Sequence, residues 1–192
     1  MQPTSFALAA GSYVTSFLEL RHRNVVIQNW DLSCGAAALS TLLNYQHGIE
    51  VTEKEVATSM ISRKEYIENP DLLAYRQGFS LLDMKLHVEK LGLTGEGLGQ
   101  LNFENLIQLA PVIVPVNFED YNHFVVFRGV SGNRVIMADP AWGNRTMSRE
   151  KFENSWIDFD TLGKIGFVVK SDNFDPTLNK LKPEALDFVM LR

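Results

Sequence analysis

The sequence predicts an α+β fold in which helices pack on a mainly antiparallel sheet. Three observations carry this. A run of small and apolar helix formers, Gly35-Ala36-Ala37-Ala38-Leu39, follows a lone cysteine. Capped helical segments recur down to about residue 109, and β-branched runs divided by turn signals fill the stretch from 111 onward. Helices first and strands after is the order of an α+β domain. The 192 residues are 45% hydrophobic and 21% charged, enough for one packed core and too apolar for a disordered chain. No apolar run is long enough to read as a membrane span. The net charge of −5, with no basic stripe, sets nucleic-acid binding aside.

The elements follow in order. Gln28 to Ser33 reads as an extended lead-in, and a helix starts at or just after Cys34 and stops at Gly48. Thr52 to Glu55 has capping-box spacing and opens a second helix. Residues 62–77 read as a charged helix–loop segment. Ser80 caps a further helix with Asp83 in its first turn and Gly92 near its end. Gly95 to Gly99 lacks the context of a phosphate loop and reads as a flexible or extended connector. Residues 103–109 form a short helix and 111–118 a strand. Phe124 to Val130 and Arg134 to Asp139 are strands joined by a turn at Ser131-Gly132-Asn133. Ser148 to Trp156 is a capped helix, Ile165 to Val169 a closing strand, and Glu184 to Leu191 a short terminal helix. The organisation expected is an N-terminal extension over 1–21, one domain over 22–170 and a tail over 171–192. Within the extension, Phe6-Ala7-Leu8-Ala9-Ala10-Gly11 is similar to the tail of a secretory signal but has no basic segment before it.

The chemistry centres on Cys34. With a single cysteine there is no intrachain disulfide. At a helix N-terminus the macrodipole favours the thiolate, and the free Cys34 N–H can face an oxyanion. Gln28 could add a second donor from its side-chain amide, although a plain surface glutamine explains it equally. A thiolate needs a base, usually a histidine oriented by a third group. His22, in a charged Arg-His-Arg patch, His47, near a helix end, and His87, half exposed on an amphipathic helix, all have structural explanations. His123 opens a buried strand, and Asp139 closes the next one. A three-residue loop over 131–133 puts Val125 opposite Asp139 and His123 on the same face as that aspartate. A two-residue Gly-Asn loop puts them on opposite faces. Gln28, Cys34, His123 and Asp139 together read as a thiol hydrolase. No cofactor is implied, and no metal site, since there is no cysteine pair and no His-Glu-x-x-His.

Gln28 and Cys34 at this spacing, the Ser33-Cys34-Gly35-Ala36-Ala37-Ala38-Leu39 start, His123-Phe124-Val125-Val126 and Asp139-Pro140 resemble the double-glycine leader peptidases, the bacteriocin-processing cysteine peptidases of the papain-like clan. The resemblance covers about residues 22–170. It implies a papain-like fold, with Cys34 the nucleophile, His123 the general base, Asp139 its orienting partner and Gln28 the oxyanion-hole residue. Two features differ from the transporter-linked members: Ser33 stands where those typically have Asp, and neither membrane spans nor a nucleotide-binding loop is present. Gly78-Phe79-Ser80-Leu81-Leu82-Asp83-Met84-Lys85 is similar to the stand-alone, secreted-type branch. The resemblance implies a peptide or protein substrate with a leader segment, cut after small residues, and association with a secretion or pilus system. A periplasmic or secreted location follows from the same branch, with the cytoplasm as the alternative. Two other readings fit the residues: a silent peptidase-like module that binds leader peptides, and another Cys-His-Asp enzyme such as an acyltransferase.

Overall fold

The computed structural model describes residues 16–171, 175 and 178–191. The signal-like Phe6 to Gly11 stretch lies outside them. Helix α1 (Phe17–His22) opens on a Ser16–Glu19 capping box and runs across the boundary expected at 21/22. Helix α2 (Cys34–Thr41) continues through a wider π turn (Leu42–His47) and stops at Gly48, whose φ of 72° is the left-handed C-cap the sequence called for. All eight residues of α2 are buried, which suits its unbroken run of small side chains. Capping boxes start α3 (Glu53–Ile61) at Thr52 and α6 (Leu81–Lys90) at Ser80. Two short helices, α4 (Lys64–Glu68) and α5 (Leu72–Tyr75), fill the charged stretch between them.

The connector after Gly92 is extended. Thr94–Leu98 is strand β1, pairing antiparallel with β8 (Gly166–Lys170). After α7 (Phe103–Leu109) come β2 (Val112–Phe118), β3 (Tyr121–Ser131), β4 (Arg134–Asp139) and β5 (Gly143–Ser148). Helix α8 (Arg149–Ser155), a small hairpin of β6 (Asp158–Phe159) and β7 (Gly163–Lys164), and α9 (Ala185–Met190) complete the described elements. The sheet runs β1-β8-β2-β3-β4-β5, all pairs antiparallel. Side chains alternate across it. Ile113, Val126 and Phe167 pack under α2, α3 and α6 with Leu39, Leu43, Val56 and Met84. Val125, Phe127 and Met137 face Phe103, Phe152 and Trp156 of the α7/α8 side. Strand β5 was not legible in the sequence, because its segment Gly-Asn-Arg-Thr-Met-Ser has little of the apolar alternation that marks a strand.

The β3–β4 turn takes the shorter of the two loops the sequence leaves open, and a bulge restores the phase that brings His123 to Asp139. Ser131 pairs with Arg134, so the loop is the two-residue Gly132-Asn133. On its own that loop would turn His123 away from Asp139. A β-bulge at Arg128, however, inserts one residue between the Phe127–Met137 and Gly129–Ile136 pairs. Beyond it Val126 faces Ala138, the same phase a three-residue loop would have given. The extra residue is anchored. The buried Arg128 guanidinium donates to Leu181 O at 2.8 Å and to Asn144 Oδ1 at 2.6 Å.

Candidate active site

Three of the four expected residues come together where α2 begins beside the ends of β3 and β4. Cys34 is the first residue of α2 and lies on the floor of a cleft of about 420 Å³ that His123, Gly78, Phe79, Pro115 and Phe124 also line. The helix breaks from the loop before it through Leu32, which has a φ of 67°. The N-cap, Ser33, does not cap with its own side chain. Its hydroxyl lies instead 2.5 Å from Glu53 Oε1 and 2.6 Å from Trp30 O. Glu53 is buried on α3 and also accepts from the Asn29 backbone N–H at 3.0 Å and the Asn29 amide at 2.7 Å. A buried carboxylate saturated with donors thus holds the turn that presents the thiol. The opposite cleft wall comes close at Gly78, where a Cβ would sit 3.2 Å from Leu32 O in a backbone with φ of 130°.

His123 Nε2 is 2.7 Å from Asp139 Oδ1, and both side chains are buried. Asp139 is itself held: Oδ1 accepts from the Ala141 N–H at 2.9 Å and Oδ2 from Arg145 Nη1 at 3.2 Å. Burial pushes the Asp139 carboxyl up, but the His123 hydrogen bond and charge, the Ala141 N–H and Arg145 outweigh it and hold the pKa below the usual value. Burial likewise opposes the charged imidazole. The hydrogen bonds to Asp139 and then Cys34, with their charges, overcome this and raise His123 to about 9. With Nε2 on Asp139, the remaining nitrogen, Nδ1, is buried without a closed hydrogen bond and is the one left to address the sulfur.

Gln28 is tied in differently from the expected oxyanion donor. Its backbone N–H donates to Pro140 O at 2.9 Å, joining the lead-in of the nucleophile to the turn after Asp139. Its Nε2 donates to Trp30 O at 3.2 Å, while Oε1 is buried without a partner. The amide thus lies beside the site with one of its two N–H donors engaged by the loop. Of the other histidines, His87 departs from its half-exposed expectation: it is 7% exposed, and neither ring nitrogen has a partner.

Three contributors carried no readable signal. Glu53 sits inside the capping-box stretch and was legible only as a first-turn acid. Arg145 orients Asp139 from β5, the strand that periodicity missed; its guanidinium lies 4.9 Å over the Phe118 ring. The Tyr121 ring lies against His123, 5.6 Å between centroids at 34°. Burial, then the charge of Cys34, raises the Tyr121 hydroxyl pKa above its ordinary value.

A thiol at a helix start, an imidazole and a buried carboxylate can perform nucleophilic attack and proton transfer on a carbonyl. Residues 22–160 match the peptidase C39 family. The chain belongs to that family. It is a cysteine peptidase, and its helices and six-stranded antiparallel sheet are those of the papain-like double-glycine peptidases. The chain is 34% identical over 190 residues to the "Probable functional amyloid protease FapD" of Pseudomonas fluorescens, covering 91% of this chain and 81% of that one. It is 36% identical over 154 residues to the protein of the same name from Pseudomonas aeruginosa, covering 79% and 66%. Among solved structures it is similar to a double glycine motif protease from an AMS/PCAT transporter in complex with the leader peptide. That match has a TM-score of 0.60 and 27% identity, over 77% of this chain and 90% of the other. No helix among the described residues is long and apolar enough to cross a membrane.

Proposed function

We propose that this C39 peptidase is an endopeptidase that removes a leader or pro-segment, after small residues of the Gly-Gly type, from an exported protein. The observation that carries the reading is the 2.7 Å His123–Asp139 bond, with His123 and Cys34 lining one cleft. Cys34 attacks the scissile carbonyl after its proton passes to His123. The tetrahedral oxyanion is stabilised by the Cys34 N–H at the free end of α2, with the second N–H of the Gln28 amide as the other donor. His123 protonates the leaving amine, and water, deprotonated by the neutral ring, releases the acyl-enzyme. Asp139 fixes the ring throughout, with Arg145 behind it.

Cleavage at a leader is supported by the leader-peptide complex of the similar double-glycine protease. A protein substrate is supported by the two relatives, each named "Probable functional amyloid protease FapD", and an exported one met in the periplasm or outside the cell is part of this proposal. The silent-module reading is disfavoured because nucleophile, base and orienter are all present and mutually arranged. Incubating the protein with peptides containing an internal Gly-Gly, beside Cys34→Ala and His123→Ala, tests the proposal. Products ending in the small pair, absent with both variants, are expected. Peptide binding without any Cys34-dependent product would overturn it.

A further inference from the structure

His123 faces two openings. The cleft that holds Cys34 lies on one side; on the other, a groove of about 690 Å³ touches His123 and Asp139 but not Cys34. The two sides differ chemically. After attack, the acyl half of a substrate stays on the sulfur, while the departing amine takes its proton from the imidazole. The departing segment therefore lies on the His123 side of the sulfur, and the groove is the opening beside His123 that does not reach Cys34.

Its charge is opposite to that of the protein. Arg21, Arg145 and Lys151 line it, and Glu119 is the one acid there besides the buried, fully bonded Asp139. The whole chain carries −5, so this is a local reversal and not a general property of the surface. Arg21 is built into the wall. Its guanidinium lies 5.6 Å from the Phe17 ring and 5.8 Å from the Trp142 ring, between two exposed aromatics. A guanidinium held by ring faces keeps its N–H edge free for a carboxylate. Among the described residues neither Arg21 nor Lys151 is part of an ion pair.

The backbone behind Arg21 is fixed as well. Asn144 donates to Leu20 O at 3.0 Å and Arg23 O at 2.6 Å. Gly143 has a φ of 81°, and a Cβ there would lie 2.4 Å from Arg21 O, so α1 rests directly on β5 only because that position is glycine.

We infer that this groove receives the substrate residues that follow the cleaved bond, and that it selects acidic ones, with Arg21 and Lys151 as specificity determinants. The inference rests on the peptidase reading of Cys34 and His123. The test uses internally quenched peptides with Gly-Gly before the bond and three Asp, three Asn or three Lys after it. The Asp peptide should show kcat/KM about tenfold above the Asn peptide at low salt, the gap closing as salt rises. The double variant R21E/K151E should reverse the order of the Asp and Lys peptides. Equal cleavage of all three, or an Asp preference that survives the double variant, overturns the inference. Fluorescence anisotropy of the same peptides on Cys34→Ala separates the two claims. Tighter Asp-peptide binding that R21E/K151E abolishes upholds the groove even if no peptide is cut, in which case it is the peptidase reading that fails. Equal binding of Asp and Lys peptides overturns the groove whatever the turnover.

Discussion

Arg128 Nη1 donates to Asn144 Oδ1 at 2.6 Å, joining two buried side chains sixteen residues apart. Arg128 is the bulge residue that sets the phase of His123 against Asp139, and Asn144 is the clamp that seats α1. One hydrogen bond therefore links the register of the catalytic hairpin to the wall of the groove. Replacing Arg128 by Leu leaves Asn144 Oδ1 and Leu181 O without donors. A loss of at least ~2 kcal/mol is expected, read by denaturant titration. A stability equal to wild type would show that the bulge needs no anchor.

Asp139→Asn removes the charge that helps lift His123 to about 9 and leaves a neutral amide oxygen as the weaker acceptor. In the wild type, a step that requires the imidazolium loses rate as pH rises through about 9. In the variant that alkaline limb should move down, towards or below the ordinary 6.5, with kcat lower by about 10²-fold or more. The same shift has a stability side. A folded pKa above the unfolded one gives stabilisation that is complete below 6.5 and is lost as pH rises through about 9. The depressed Asp139 acts in the opposite range, its contribution present above its ordinary pKa and lost as pH falls through the lower folded value. An unmoved alkaline limb in Asp139→Asn would contradict the assignment.

Glu53→Ala should loosen the turn that presents Cys34. It removes the acceptor of the Asn29 N–H and leaves the Ser33 hydroxyl with Trp30 O alone, at ~1–3 kcal/mol in all. Because Glu53 is a positioning residue, kcat should fall with KM little changed, and Glu53→Asp should restore part of the rate. A fall in stability with wild-type kcat would assign it a purely structural role.

His87 predicts acid sensitivity unrelated to catalysis. Burial, then Lys90, lowers its pKa, so the unfolded chain binds the extra proton first and stability is lost as pH falls below 6.5. His87→Leu should abolish that part of the acid loss and gain ~1 kcal/mol at neutral pH by removing two unpartnered nitrogens, raising Tm by roughly 2–4 °C. A variant with unchanged acid sensitivity would contradict this.

The sequence was most informative where one residue type does one job. The capping boxes at Thr52 and Ser80, the Gly48 stop and the helix start at Cys34 all stand where local chemistry put them. It was least informative where the cause is long-range. The bulge at Arg128 is anchored by Asn144 and Leu181, and no local signal distinguishes it, so the sequence left two loop lengths open and did not show that the shorter one still lets His123 and Asp139 meet. Strand β5 forms because β4 offers it an edge, and its residue Arg145 could be paired with Asp139 only once that strand was known. Glu53 shows the same limit, since its partners lie twenty or more residues upstream.

The central claim is that Cys34, driven by His123, forms a covalent acyl-enzyme with the residue before the cleaved bond. Rapid acid quenching during turnover of a Gly-Gly peptide, followed by mass spectrometry of the intact protein and its Cys34 fragment, measures this directly. The expected result is a thioester on Cys34 that accumulates and decays with product formation, and that is absent in His123→Ala. Peptide cleavage that proceeds unchanged in Cys34→Ala, with no adduct on the wild-type sulfur, would contradict the account.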